Sequence, residues 1–161
     1  EQASALYAAV ERAVQAADVK QVRELSAQVM ERYPRSAYGP MAALVAAKVN
    51  FAAGDLKSAG GQLEWAAERA RDDETAAVAR LRLAAVRLDE QRYDEALALL
   101  GQKRPESFDG LYADLRGDVL VGQGKLDEAR AAYRQALEKL PPDSGFRLMV
   151  QAKLDGIGGG T

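Results

Sequence analysis

GLYADLRGDVLVGQGKLDEARAAYRQALEKLPP, residues 110–142, spaces its small residues at fixed intervals: Gly117, Gly124, Ala129 and Ala136, with Tyr133 between the last two and Pro141 closing the run. Small residues at such intervals mark places where two antiparallel helices approach too closely for a side chain, and the tyrosine fills the space beside them. The stretch therefore predicts one helix pair. Aligning the rest of the chain on it asks whether the pair is repeated.

Three further copies follow, of decreasing quality. The nearest, Ala77 to Gly110, is displaced by 33 residues and sets Ala84 on Gly117, Gln91 on Gly124, Ala96 on Ala129 and Leu100 on Tyr133. Pro40 to Asp73 brings Ala47, Gly54, Ala59, Leu63 and Ala66 to the same positions, with four extra residues before the next unit. Ala3 to Ser36 rests on Val22, Val29 and the closing Tyr33-Pro34. The spacing is the tetratricopeptide signature. It predicts an all-α fold, a tetratricopeptide-like α-solenoid of about four helix pairs (units 3–36, 40–73, 77–110 and 110–143) with a capping helix at 144–155. Such stacks bind other proteins far more often than they perform chemistry.

The helices are expected at about 3–17, 19–33, 37–53, 55–71, 74–90, 92–102, 106–123, 125–139 and 144–155. Gly54 and Gly124 suit the left-handed residue that ends a helix, Asp55 and Asp127 favour the start of the next, and Pro34, Pro105 and Pro141 cannot continue one. Asp72, Asp73 and Glu74 suit the positive end of the helix that follows. The last helix sets Phe146, Met149, Val150 and Leu154 on roughly one face, the face expected to cover the final repeat. Residues 156–161 are too glycine-rich to hold structure and are expected to be a flexible tail.

Composition narrows the function. At 161 residues the chain suffices for one core, and one repeat domain of 1–155 is expected; 48% of residues are hydrophobic but only 6% aromatic, which suits closely packed helices. With a formal charge of −2 and its basic residues scattered among acids, nucleic acid is not an expected partner. Histidine and cysteine are both absent, which removes the commonest general base, thiolate nucleophiles and most zinc ligands. No enzymatic activity, cofactor or metal is expected. The segment 117–125 looks superficially like a phosphate loop, but no serine or threonine follows Lys125 and no strand precedes it. The acids at 72–73 and 127–128 read as helix-start residues rather than a calcium site. The chain opens on Glu1 rather than methionine, so it is expected to be a processed or trimmed piece.

The letters between the small residues are more specific than their spacing. Tyr112-Ala113-Asp114-Leu115-Arg116-Gly117-Asp118-Val119-Leu120, then Gly124 and Ala129-Arg130-Ala131-Ala132-Tyr133, with Leu81-Arg82-Leu83-Ala84 and Ala96-Leu97-Ala98-Leu99-Leu100, resemble the YfgM family from about Ser4 to Leu154. Arg116 stands where the general repeat prefers leucine. The resemblance implies a periplasmic tetratricopeptide-like domain tethered to the bacterial inner membrane by a preceding transmembrane helix. It further implies an ancillary subunit of the SecYEG translocon, acting beside the chaperone PpiD on secreted proteins. The alternative is a soluble tetratricopeptide scaffold for cell-envelope or outer-membrane assembly. The family supplies no catalytic residue.

The first helix of each pair lines the concave side of such a stack. Mapping its positions selects Tyr7, Met41, Lys48, Phe51, Arg82, Leu88, Asp114 and Asp118 as a protein-binding groove, with Glu11 and Asp89 beside them. Met41 and Phe51 would offer apolar contact and Lys48 and Arg82 would meet carboxylates; alternatively Met41 and Phe51 are core residues at helical spacing. Arg116 is read as structural, pairing with Asp118 or Asp109, with a groove contact or a solvated face as alternatives. Gly117, Gly124, Ala129, Tyr133 and Ala136 are the remaining structural positions. Trp65 is assigned to packing at the edge of the second pair rather than to a binding pocket.

Overall fold

The computed structural model describes residues 1–158, and among them every regular element is helical. Nine α-helices follow in order: α1 Gln2–Gln15, α2 Val19–Arg32, α3 Tyr38–Ala52, α4 Leu56–Arg69, α5 Asp73–Asp89, α6 Tyr93–Leu100, α7 Asp109–Gly122, α8 Leu126–Lys139 and α9 Phe146–Gly156. The fold class is the expected all-α, tetratricopeptide-like arrangement of helix pairs. One expected helix, 106–123, is divided: Pro105 is extended, Glu106–Phe108 form a 3-10 turn, and α7 starts at Asp109.

The turns within the four pairs share one backbone solution. Ala17, Gly54, Gln91 and Gly124 all have positive φ, at 54°, 80°, 60° and 76°. In each, the left-handed residue donates its N–H three residues back, to Val14, Phe51, Leu88 or Val121. The residue after it donates five back, to Ala13, Asn50, Arg87 or Leu120. These bonds satisfy carbonyls that the helix end would otherwise leave bare. The register that set Gly54 and Gln91 on Gly124 is thus the register of the backbone. The next helix then starts at once. Asp18 and Asp55 accept from the amides of Gln21 and Ser58, whereas Arg92 and Lys125 stand in the same place without a side-chain cap. Asp72 caps α5 in the same way by accepting from the Thr75 amide. The Ser58 and Thr75 bonds hold both aspartates below the usual carboxylate range.

The chain divides into two compact units, Glu1–Val86 and Arg87–Thr161. In the first, α3 packs against α1, α2 and α4. Its interior is built largely from alanine: Ala42, Ala43, Ala46, Ala47, Ala59, Ala66, Ala77 and Ala79 are all essentially inaccessible. Alanine allows close helix spacing with almost no loss of side-chain entropy. Larger residues fill the margins, with Leu6, Tyr7, Met30 and Tyr38 packed on Val10, Val29 and Ala42. One polar chain crosses this interior. Arg23 Nε donates to Asn50 Oδ1 at 2.9 Å and Asn50 Nδ2 donates to Gln62 Oε1 at 3.0 Å, so the buried amide ties α2, α3 and α4 together.

In the second unit α7 and α8 form the tightest pair. Gly110 faces Leu140 and Gly117 faces Tyr133, a crossing that only an antiparallel pair can make. Ala129, Tyr133 and Ala136 are buried between these helices. Gly124 does not belong to that contact. A Cβ there would meet nothing within 4 Å, and the residue is glycine because of its φ.

α9 covers the pair with Val150 and Leu154, which join the α7–α8 core, while Ile157 packs beside them. The expected face is thereby corrected. Phe146 and Met149 are about half exposed and Leu148 is 83% exposed: Leu148 and Met149 lie off the stripe of Val150, Leu154 and Ile157, and Phe146, though one turn before Val150 on that stripe, is the first residue of the helix. The start of the tail is also ordered: Arg130 donates to the carbonyls of Ile157 and Gly158. Residues 159–161 of the expected tail lie outside the described residues.

Candidate protein-binding surface

Three of the residues selected for the groove come together. Lys48 and Phe51 of α3 and Arg82 of α5 line one open pocket of about 500 Å³, with Ala47, Leu63, Ala85 and Val86. The local fold explains the grouping. Lys48 and Phe51 are one turn apart on α3, and two reversals of direction return α5 to the direction of α3. Leu63 of α4 is buried and forms part of the wall, and Phe51 is 38% exposed. The pocket is an apolar recess whose only polar side chains are two cations. Lys48 and Arg82 are both exposed, and among the described residues neither is paired with a carboxylate.

The other groove candidates go elsewhere. Tyr7 is half-buried against Tyr38, with ring centroids 5.5 Å apart, and burial followed by the charge of Glu11 raises its phenol. Met41 is half-buried on α3 and does not line the pocket. Leu88 is partly buried, with its carbonyl in the turn that ends α5, and Asp89 is exposed.

Asp114 and Asp118 are corrected from groove residues to members of an internal ionic cluster. Lys153 Nζ of α9 lies 3.0 Å from Asp114 Oδ1 and 3.0 Å from Asp118 Oδ2, and Tyr133 Oη donates to Asp118 Oδ1 at 2.6 Å. Burial raises the Asp114 carboxyl despite the opposing pull of Lys153. Burial, and then the hydrogen bond to Asp118, push the Tyr133 phenol far above its ordinary value. Burial lowers the Lys153 ammonium, but its hydrogen bonds to the two aspartates outweigh that and raise it.

Arg116 requires a second correction. Its side chain is exposed, and both expected partners are engaged by others, Asp118 by Lys153 and Asp109 by Arg104 at 3.0 Å. The ion-pair reading does not fit; an exposed side chain suits a solvated face or a groove contact. Trp65 is half-buried near Gly39, with the Arg69 guanidinium 4.5 Å from its ring centroid, and it also borders a shallow cleft with Arg23, Met30 and Gln62.

Sequence reasoning missed Ala47, Leu63, Ala85 and Val86 as pocket lining and Lys153 as the counterion. Ala85 lies one repeat length beyond Lys48, so the repeat register held a signal for it. Lys153 offered none, because nothing local links it to α7.

The profile described as "Tetratricopeptide repeat-like domain" matches residues 1–159. An ancillary SecYEG translocon subunit of Neisseria gonorrhoeae is 36% identical over 157 residues, covering 98% of this chain and 75% of the relative. The chain belongs to the YfgM family of tetratricopeptide-like proteins. A second relative, the ancillary SecYEG translocon subunit of Haemophilus influenzae, is 30% identical over 159 residues, 97% of this chain and 75% of its own length. That of Escherichia coli is 29% identical over 123 residues, 76% of this chain and 59% of its own. The YfgM likeness therefore extends across both compact units.

Proposed function

We propose that this chain is a protein-interaction module acting as an accessory of the SecYEG translocon, with its partners received on the α3–α5 face. Family membership supports the assignment to the translocon. The observation that carries the site is the apolar recess of Phe51, Leu63 and Val86 flanked by Lys48 and Arg82, two cations unpaired among the described residues. Exposed apolar surface with charges at its rim is the usual dress of a protein-binding site. The finer reading follows the family: a periplasmic domain held at the inner membrane by a preceding helix, working beside a PpiD-like chaperone on secreted chains. No helix among the described residues is long and apolar enough to cross a membrane.

A photoreactive residue at Phe51, compared with one at the exposed Lys57 of α4, tests this in intact membranes carrying the full-length gene product. Capture of identified translocon subunits or their chaperone from position 51 is expected. Capture from position 57 alone would remove the site and leave the translocon assignment standing, and capture of neither from both would remove the assignment.

A further inference from the structure

Resting on the reading of the α3–α5 face as protein-binding, we propose that its pocket selects extended segments in which an acidic residue stands two positions from a large apolar one. The polar chemistry of the lining is one-sided. It holds Lys48 and Arg82 but no carboxylate, hydroxyl or side-chain amide, in a chain whose formal charge is −2. Two cations without a carboxylate partner among the described residues attract an anion, and the walls of Ala47, Phe51, Leu63, Ala85 and Val86 exclude water from an apolar group beside it.

The repeat register sets the distance between those two groups. Gly54 and Gln91, the left-handed residues that end α3 and α5, are equivalent and stand 37 positions apart. Lys48 is therefore level with Ala85, Phe51 with Leu88, and Arg82 with Val45. At about 1.5 Å per residue, Phe51 lies roughly 4.5 Å along the helix direction from Lys48 and roughly 9 Å from the level of Arg82. An extended chain places side chains i and i+2 on one side, about 6.6–7 Å apart, between those two values. Side chains i and i+1 point to opposite faces and cannot use both ends of the pocket. A single apolar side chain fits a recess with two alanines in its walls. An acyl chain would need a longer enclosed track, so a peptide is the occupant.

Fluorescence polarisation with the labelled peptide Gly-Ser-Asp-Ser-Phe-Ser-Gly and the 161-residue chain tests the proposal. Replacing the peptide's Asp by Asn, its Phe by Ala, or inserting one Ser between the Asp and the central Ser should each weaken binding by about tenfold, which is roughly 1.4 kcal/mol. The Lys48→Glu/Arg82→Glu variant should reverse the preference, binding a peptide with Lys in place of Asp. Equal binding of the Asp and Asn peptides, or tolerance of the inserted residue, would overturn the proposal. So would binding of sodium palmitate with neither peptide bound. Crosslinking from position 51 is read independently of these peptides: capture without peptide selectivity would sink this inference alone, and selectivity without capture would sink only the proposed partner.

Discussion

The ring of Tyr133 occupies the space that a side chain on Gly117 would need. A Cβ built on Gly117 overlaps Cε1 of that ring and stands 2.8 Å from its Cζ, while the tyrosine hydroxyl is held by Asp118. The ring is fixed at both ends and cannot slide aside. Gly117→Ala should therefore destabilise the chain by about 1–3 kcal/mol through overpacking. Urea unfolding measures this. Adding Tyr133→Leu should recover part of the loss, and a Gly117→Ala variant with the parent's midpoint would refute the contact.

The four left-handed turn residues differ in how well they suit their backbone. Gly54 and Gly124 accept positive φ freely, whereas Ala17 and Gln91 adopt it against their Cβ. Gln91→Gly should raise stability by about 0.5–1 kcal/mol, and Gly124→Ala should lower it by about 1 kcal/mol. Thermal melts of the two variants should move in opposite directions.

Lys153, Asp114, Asp118 and Tyr133 make stability fall on the alkaline side. The folded chain keeps the Tyr133 proton after the unfolded chain has lost its own, near pH 10, so folding weakens as pH rises beyond that value. Lys153 acts in the same direction. Its raised value gives stability that is complete below the unfolded pKa, about 10.4, and is lost as pH climbs through the folded one. Tyr133→Phe should flatten the decline in stability measured between about pH 9 and 11.

The acid side of the same cluster gives a separate test. Burial already raises Asp114, and Lys153→Met removes the ammonium that opposes it. Ionised Asp114 then weakens folding as pH rises through the carboxylate range. The deficit of Lys153→Met, followed by denaturant titration, should be greatest at neutral pH and narrow toward pH 4.

Arg116→Met should leave stability within about 0.5 kcal/mol of the parent, as expected for an exposed side chain outside any ion pair. A loss above about 2 kcal/mol in a thermal melt would restore the buried-pair reading.

The helices and turns were legible because their causes are local. Gly54, Gly124, Asp55 and the prolines punctuate the chain, and the repeat register carried the turn position to Gln91, whose residue type alone gave no hint. That Lys48, Phe51 and Arg82 would stand around one recess was legible for the same reason, from their equivalent places on first helices. The errors share a different cause. Asp114 and Asp118 have first-helix positions, but a lysine 35 to 39 residues later takes their charge. Arg116 lost its expected partners to Lys153 and Arg104. In α9, apolar residues occupy more than one face, so sequence alone did not decide that Val150 and Leu154, rather than Phe146 and Met149, would point inward.

α6 is only eight residues long, with Ala96 and Leu100 its buried positions, whereas its neighbour α7 has fourteen residues and a nearly continuous buried face. Two helical turns hold few internal amides, and little apolar surface anchors them. Amide hydrogen exchange should therefore be uneven: the α6 amides exchange through local opening, while those of α7 and α8 wait for a larger part of the second unit to unfold. Among these three helices, the first to yield is set by the length of the short one.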